Sequence, residues 1–181
     1  MEIIKNLKEI QIVKKLFLAF AATIFLALSA KISIPFWPVP MTMQTFVVMF
    51  IGVIFGWKLG LFSVFLYLFE GIIGLPVFAG TPEKGLGIIY FVGPTMGYLI
   101  GFLATVFFTG YFIFNKNFFT NFLKLLFSVS FIYIFGIIWL GALLGWEKPI
   151  FELGAKPFLL AELFKVILLS LLITKFQKIR I

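Results

Sequence analysis

The sequence contains no cysteine, no histidine and no aspartate. Their absence excludes a disulfide framework, the ordinary metal clusters and Ser-His-Asp or Cys-His nucleophilic catalysis, so the chain is not expected to be an enzyme. It also lacks a Gly-x-x-x-x-Gly-Lys-Ser/Thr run, so it has no P-loop with which to cradle ATP. If ATP drives its work, another subunit supplies the energy. Charge is scarce as well. Only 12% of the 181 residues are charged, whereas 62% are hydrophobic and 20% aromatic. A soluble domain of this size has too little interior to hide that much apolar surface, so the chain reads as an integral membrane protein.

The net charge of +8 does not mark a nucleic-acid binder, because the cations sit in short loops and tails rather than along one polar face. Residues 1–14 are too charged, and too poorly followed by a small-residue cleavage site, to read as a removable signal peptide. They are expected to form a short, basic, partly amphipathic cytoplasmic lead-in to a single membrane domain covering 1–181.

Six hydrophobic segments stand out, at about 15–33, 41–55, 58–73, 94–114, 122–145 and 157–175. A span needs roughly 20 residues, so the second and third are short. They tilt little or share the membrane with irregular segments beside them. Fusing them would give five spans and a helix of more than 30 residues through Gly56, Trp57 and Lys58. With the amino terminus inside, the inner segments hold Lys5, Lys8, Lys14, Lys15, Lys58, Lys116, Lys124, Lys175, Lys178 and Arg180. The outer ones hold Lys31, Lys84, Lys148 and Lys156. Ten against four follows the positive-inside rule and puts both termini in the cytoplasm. The expected fold is therefore an all-α, multi-pass protein of the cytoplasmic membrane, with six transmembrane helices surrounded by lipid. Its outer loops, at about 34–40, 74–93 and 146–156, hold most of the prolines, so a solute is expected to be met from outside.

The run from Gly74 to Tyr98 interrupts this apolar chain with glycines, prolines and polar side chains. Irregular backbone at membrane depth is tolerated where protein lines a cavity. Gly93-Pro94-Thr95 reads as a helix start whose free N–H groups face outward and suit an anionic group. Gly97, Gly101, Thr105 and Thr109 make a small-residue stripe that reads as helix packing. Ala19, Thr23, Ala27 and Ala30 make another, which suits either packing within the bundle or docking of a partner membrane protein. Glu162 and Lys165, three residues apart, share one face of the last span. Charged groups there persist when they pair or when they hold a polar ligand. Glu70 lies near the outer end of its span, where snorkelling accounts for it. Gln44, Phe78, Gly80, Tyr90, Thr95 and Tyr98 complete the candidate pocket, with Trp37 as a further aromatic wall.

The runs Ala30-Lys-Ile-Ser-Ile-Pro35, Pro38-Val-Pro-Met-Thr-Met-Gln-Thr45, Gly74-Leu-Pro-Val-Phe-Ala-Gly80, Gly93-Pro-Thr-Met-Gly-Tyr98 and Pro157-Phe-Leu-Leu-Ala-Glu-Leu-Phe-Lys165 occur in order along nearly the whole chain. Together they resemble the BioY family, the biotin-specific S components of energy-coupling factor (ECF) transporters. The resemblance implies a six-helix S-component fold and biotin as transported ligand, with no cofactor. It implies a partner ECF module of one transmembrane T component and two ABC ATPases. It also implies ligand contacts by Glu162 and Lys165, and docking of the T component through Ala19, Thr23 and Ala27. Met96 stands where the family usually has glycine, Glu162 where it usually has aspartate, and Thr23 where alanine is commoner. Biotin offers two ureido N–H donors, one carbonyl acceptor, an apolar bicycle and chain, and a carboxylate. A clamp in which Glu162 accepts ureido N–H groups and Lys165 meets the ureido oxygen or the carboxylate suits that chemistry. Thiamine or riboflavin as the solute, a membrane assembly protein without a ligand, and a homodimer all stay open at this stage.

Overall fold

The computed structural model describes residues 2–176, with side chains from Ile10 onward. Lys178 and Arg180, counted above among the inner cations, lie outside the described residues, as do the side chains of Lys5 and Lys8. The chain folds as α1 (Glu2–Lys31), β1 (Ser33–Ile34), β2 (Met41–Thr42), α2 (Gln44–Ile72), α3 (Ile88–Phe91), α4 (Met96–Tyr111), α5 (Phe118–Leu144), α6 (Ile150–Gly154) and α7 (Leu159–Lys175). A single 3-10 turn, Lys156–Phe158, leads into α7. The helix α1 begins at Glu2 and runs on through the 1–14 region into the first apolar stretch.

Among the described residues, four stretches are long and apolar enough to cross a membrane: Ile10–Lys31, Gln44–Ile72, Phe118–Leu144 and Ile150–Lys175. The apolar helix Met96–Tyr111 is shorter. Within α2, Gly56 leaves helical geometry at φ 70° and ψ 176°, a conformation open essentially to glycine alone. The chain reverses there. Gln44 Nε2 donates to the Tyr67 hydroxyl at 2.7 Å, although 23 residues of unbroken helix would separate them by about 35 Å. A Cβ built on Gly60 would likewise lie 3.7 Å from the Cα of Gly52. The two predicted segments on either side of Gly56 thus run antiparallel, and the fused straight helix does not form.

Small residues set how closely the helices approach. Side chains at Gly97 or Gly101 would collide with the α5 backbone at Phe135 and Ile132. Thr105 donates to the Ser128 carbonyl at 2.9 Å on the same helix. The stripe therefore packs α4 on α5, except that Thr109 turns to Gly52 of α2. At the hairpin bend, Gly110 lies so close to Gly56 and Trp57 that a Cβ would strike their backbone. Tight α2–α4–α5 packing forms the centre of the molecule, and α7 lies against α5 and α2.

Two features refine these expectations. The chain is not purely helical: β1 and β2 pair antiparallel, Ser33 opposite Thr42 and Ile34 opposite Met41. Pro35, Pro38 and Pro40 keep the connecting segment out of helix. The stripe on α1 is turned inward. Ala19 and Ala30 are fully buried, Thr23 is buried and Ala27 is partly buried against the core. Small side chains let α1 lie against α2, and the exposed face of α1 carries Phe17, Phe20, Ile24, Phe25 and Leu28 instead. Ala19 and Thr23 thus take part in packing within the bundle.

Candidate functional site

Glu162 and Lys165 lie in the first two turns of α7, with 4% and 5% of their surface exposed, so neither reaches water. Burial of two charges is tolerable only if their hydrogen-bonding capacity is met. The arrangement meets it unevenly. Glu162 Oε2 accepts from Thr45 Oγ1 of α2 at 2.9 Å and from the Tyr133 hydroxyl of α5 at 3.0 Å. Lys165 Nζ lies 3.4 Å from the same oxygen. Lys165 also donates to the Thr42 carbonyl at 2.7 Å and to Thr45 Oγ1 at 2.9 Å, which uses all three ammonium protons. Glu162 Oε1 is buried and has no hydrogen-bond partner among the described residues. A carboxylate with one saturated and one bare oxygen is an acceptor held ready for a donor from outside the chain.

Both residues line a cavity between α2, α4, α5, α7 and the loops beside them, walled also by Tyr90, Tyr98, Tyr133 and Phe158. It encloses about 50 Å³, room for only a few water-sized groups. Tyr98 reaches across it to donate to the Gly154 carbonyl at 2.8 Å. Gln44 and Thr95, both expected here, line the cavity too, with Gln44 fixed by Tyr67.

The 77–81 segment covers one side of the cavity, with Ala79 in its lining. It forms no strand or helix, and side chains from elsewhere satisfy several of its carbonyls. Tyr67 donates to Val77 at 2.9 Å, and Tyr90 donates to Ala79 at 2.9 Å. Lys31, at the end of α1, donates to Phe78 at 3.2 Å and to Thr81 at 2.9 Å. Burial pushes the Tyr90 phenol above its ordinary value, opposed by a hydrogen bond with Thr95, so the hydroxyl keeps its proton for Ala79. Phe78 is not among the residues lining the cavity. Its ring is 1% exposed, packs over Gly71 and lies 4.7 Å from Tyr90 and 5.3 Å from Tyr67, which makes it the plug that seats the cover. Gly80, at φ 74°, shapes the turn and does not line the cavity, which its neighbour Ala79 does.

The sequence reading missed Thr45 and Tyr133. Thr45 follows Gln44 directly, and Tyr133 is a lone phenol in the apolar run of α5. A hydroxyl buried mid-span needs a partner, and that was the available signal.

The family model described as the BioY family matches residues 4–180. The chain is 37% identical to a probable biotin transporter BioY of Pyrococcus horikoshii, over 78% of this chain and 85% of that one. It is 33% identical to the biotin transporter BioY of Thermotoga maritima, over 88% and 93% of the two chains. Among solved structures, it superposes on the S-component for biotin from an ECF-type ABC transporter with a TM-score of 0.76, at 30% identity and covering 93% of each chain. Matched over nearly its whole length in sequence and in fold, the chain belongs to the BioY family.

Proposed function

We propose that this protein binds biotin from outside the cell and serves as the S component of an ECF transporter in the cytoplasmic membrane. The reading rests on one observation above the others, the bare Oε1 of Glu162 in a cavity walled mainly by apolar and aromatic side chains with a few polar ones. A cyclic urea presents an N–H beside its C=O on one edge. That edge matches an acid and a lysine one helical turn apart. Glu162 Oε1 takes the ureido N–H. Lys165 gives up its longest contact, the 3.4 Å one to Glu162, and donates to the ureido oxygen. The tyrosines and Phe158 receive the bicycle. Because the cavity as it stands is too small for the whole ligand, the 77–81 cover and the Trp37–Pro40 segment withdraw to admit it.

The six helical segments, counting the two arms of α2 separately, each cross the membrane, and both termini lie in the cytoplasm. The short arms and α4 are shorter than a full bilayer crossing, and the outer loops complete the passage. A T component and ABC ATPases supply the energy, since the chain has no nucleotide-binding motif.

Equilibrium binding of labelled biotin to the purified protein in detergent tests the reading, with unlabelled biotin, thiamine and riboflavin as competitors. Saturable binding displaced by biotin alone is expected. Displacement by thiamine or riboflavin instead reassigns the solute. A folded sample that binds none of the three points to a membrane assembly role.

A further inference from the structure

We infer that Thr45 is a positioning residue for the solute-binding acid, and that Tyr133 shares this task. The inference rests on the biotin reading above and concerns how the site holds its acceptor. Thr45 is the only described side chain that hydrogen-bonds both charges, donating to Glu162 at 2.9 Å and accepting from Lys165 at 2.9 Å. The direct Lys165–Glu162 contact is longer, at 3.4 Å, so the hydroxyl between them carries much of the coupling. Its proton is committed to Glu162, because Lys165 can only donate to it. Tyr133 approaches the same oxygen from α5. Three donors from three helices therefore converge on Oε2 and none on Oε1. This asymmetry fixes the carboxylate's rotation and leaves Oε1 bare.

Lys165 extends the arrangement to the outer ribbon. Its shortest bond, 2.7 Å, is to the Thr42 carbonyl at the end of β2. Thr45 stands at the start of α2, one turn further on. The hydroxyl thus ties the ribbon, α2 and α7 into one unit around the acceptor. Without it, Oε2 keeps only Tyr133 and the longer Lys165 contact, and the carboxylate's rotation is held less tightly.

The test is binding of biotin, and of the two ureido N-methyl biotins, to the full-length wild type and to Thr45→Val, Thr45→Ser and Tyr133→Phe in detergent. Thr45→Val keeps the shape and removes both hydrogen bonds. Loss of a hydrogen bond to a charged group is worth about tenfold in affinity, and that weakening for biotin is the expected result. Thr45→Ser restores affinity to within about twofold. The decisive readout is selectivity. The preference of the wild type for biotin over the N-methyl analogue that cannot donate to Glu162 falls about tenfold in Thr45→Val, because the oriented acceptor is what reads the N–H. Tyr133→Phe moves the same ratio in the same direction. A merely structural role lowers affinity for biotin and its analogues alike, and that result overturns the inference, as does unchanged biotin affinity in Thr45→Val. Wild-type protein that binds no biotin overturns the solute assignment itself, and the inference with it.

Discussion

Charge at Glu162 and Lys165 is compensated within the pair, and the two cannot be removed singly on equal terms. Lys165→Met leaves a buried carboxylate without its cation, at a cost of about 3–5 kcal/mol. Glu162→Gln strands the ammonium in the same way. The double variant Glu162→Gln/Lys165→Met removes both charges. It is expected to regain most of the lost stability while still binding biotin roughly 100-fold more weakly or worse. Thermal unfolding in detergent beside a binding titration separates the two effects. A double variant as unstable as the Lys165→Met single would show that the pair is not mutually compensating. These two residues were legible in the sequence because a charge inside a 17-residue apolar helix has few innocent explanations. Thr45 and Tyr133 were not, because hydroxyls recur throughout such chains and most of them bond to their own helix, as Ser63, Ser128 and Ser170 do here.

At the level of elements, the cover over the cavity is held by side chains from elsewhere, and so it depends on them. Lys31 ties α1 to two carbonyls and a hydroxyl of the 78–81 turn. Lys31→Met removes that tie without touching the cavity lining. It is expected to speed biotin dissociation several-fold, on the scale of one charge-assisted hydrogen bond. Its effect on the unfolding temperature is expected to be small. A dissociation rate equal to the wild type would mean that Tyr67, Tyr90 and the Phe78 plug hold the cover unaided. Element boundaries were read from sequence with uneven success, for physical reasons. Gly56 followed by Trp57 and Lys58 marked the reversal within α2, since a flexible residue beside an interfacial aromatic and a cation suits a membrane edge. The β1–β2 ribbon escaped because two-residue strands show no periodicity. The direction of the Ala19–Ala30 stripe escaped too. Small residues announce a close contact, but their pattern does not say whether the neighbour is α2 or another protein.

On the proposed topology, the loops around the cavity face outside and the side richer in cations faces inside. The absence of cysteine makes this orientation directly testable. Single cysteines placed at Lys84, in the outer loop, and at Lys116, between α4 and α5, are expected to label differently with a membrane-impermeant maleimide. Lys84→Cys reacts in intact cells, and Lys116→Cys reacts only after permeabilisation. The opposite pattern would invert the topology and place the cavity on the cytoplasmic side. At this scale the mostly helical membrane architecture was readable, because bilayer thickness constrains a hydrophobic chain more tightly than water constrains a soluble one.

The most direct test is a crystal structure of this protein with biotin bound. The account expects a ureido nitrogen within hydrogen-bonding distance of Glu162 Oε1, with Thr45 and Tyr133 still on Oε2. A ureido ring seated away from Glu162, with Oε1 bonded to protein instead, would contradict it.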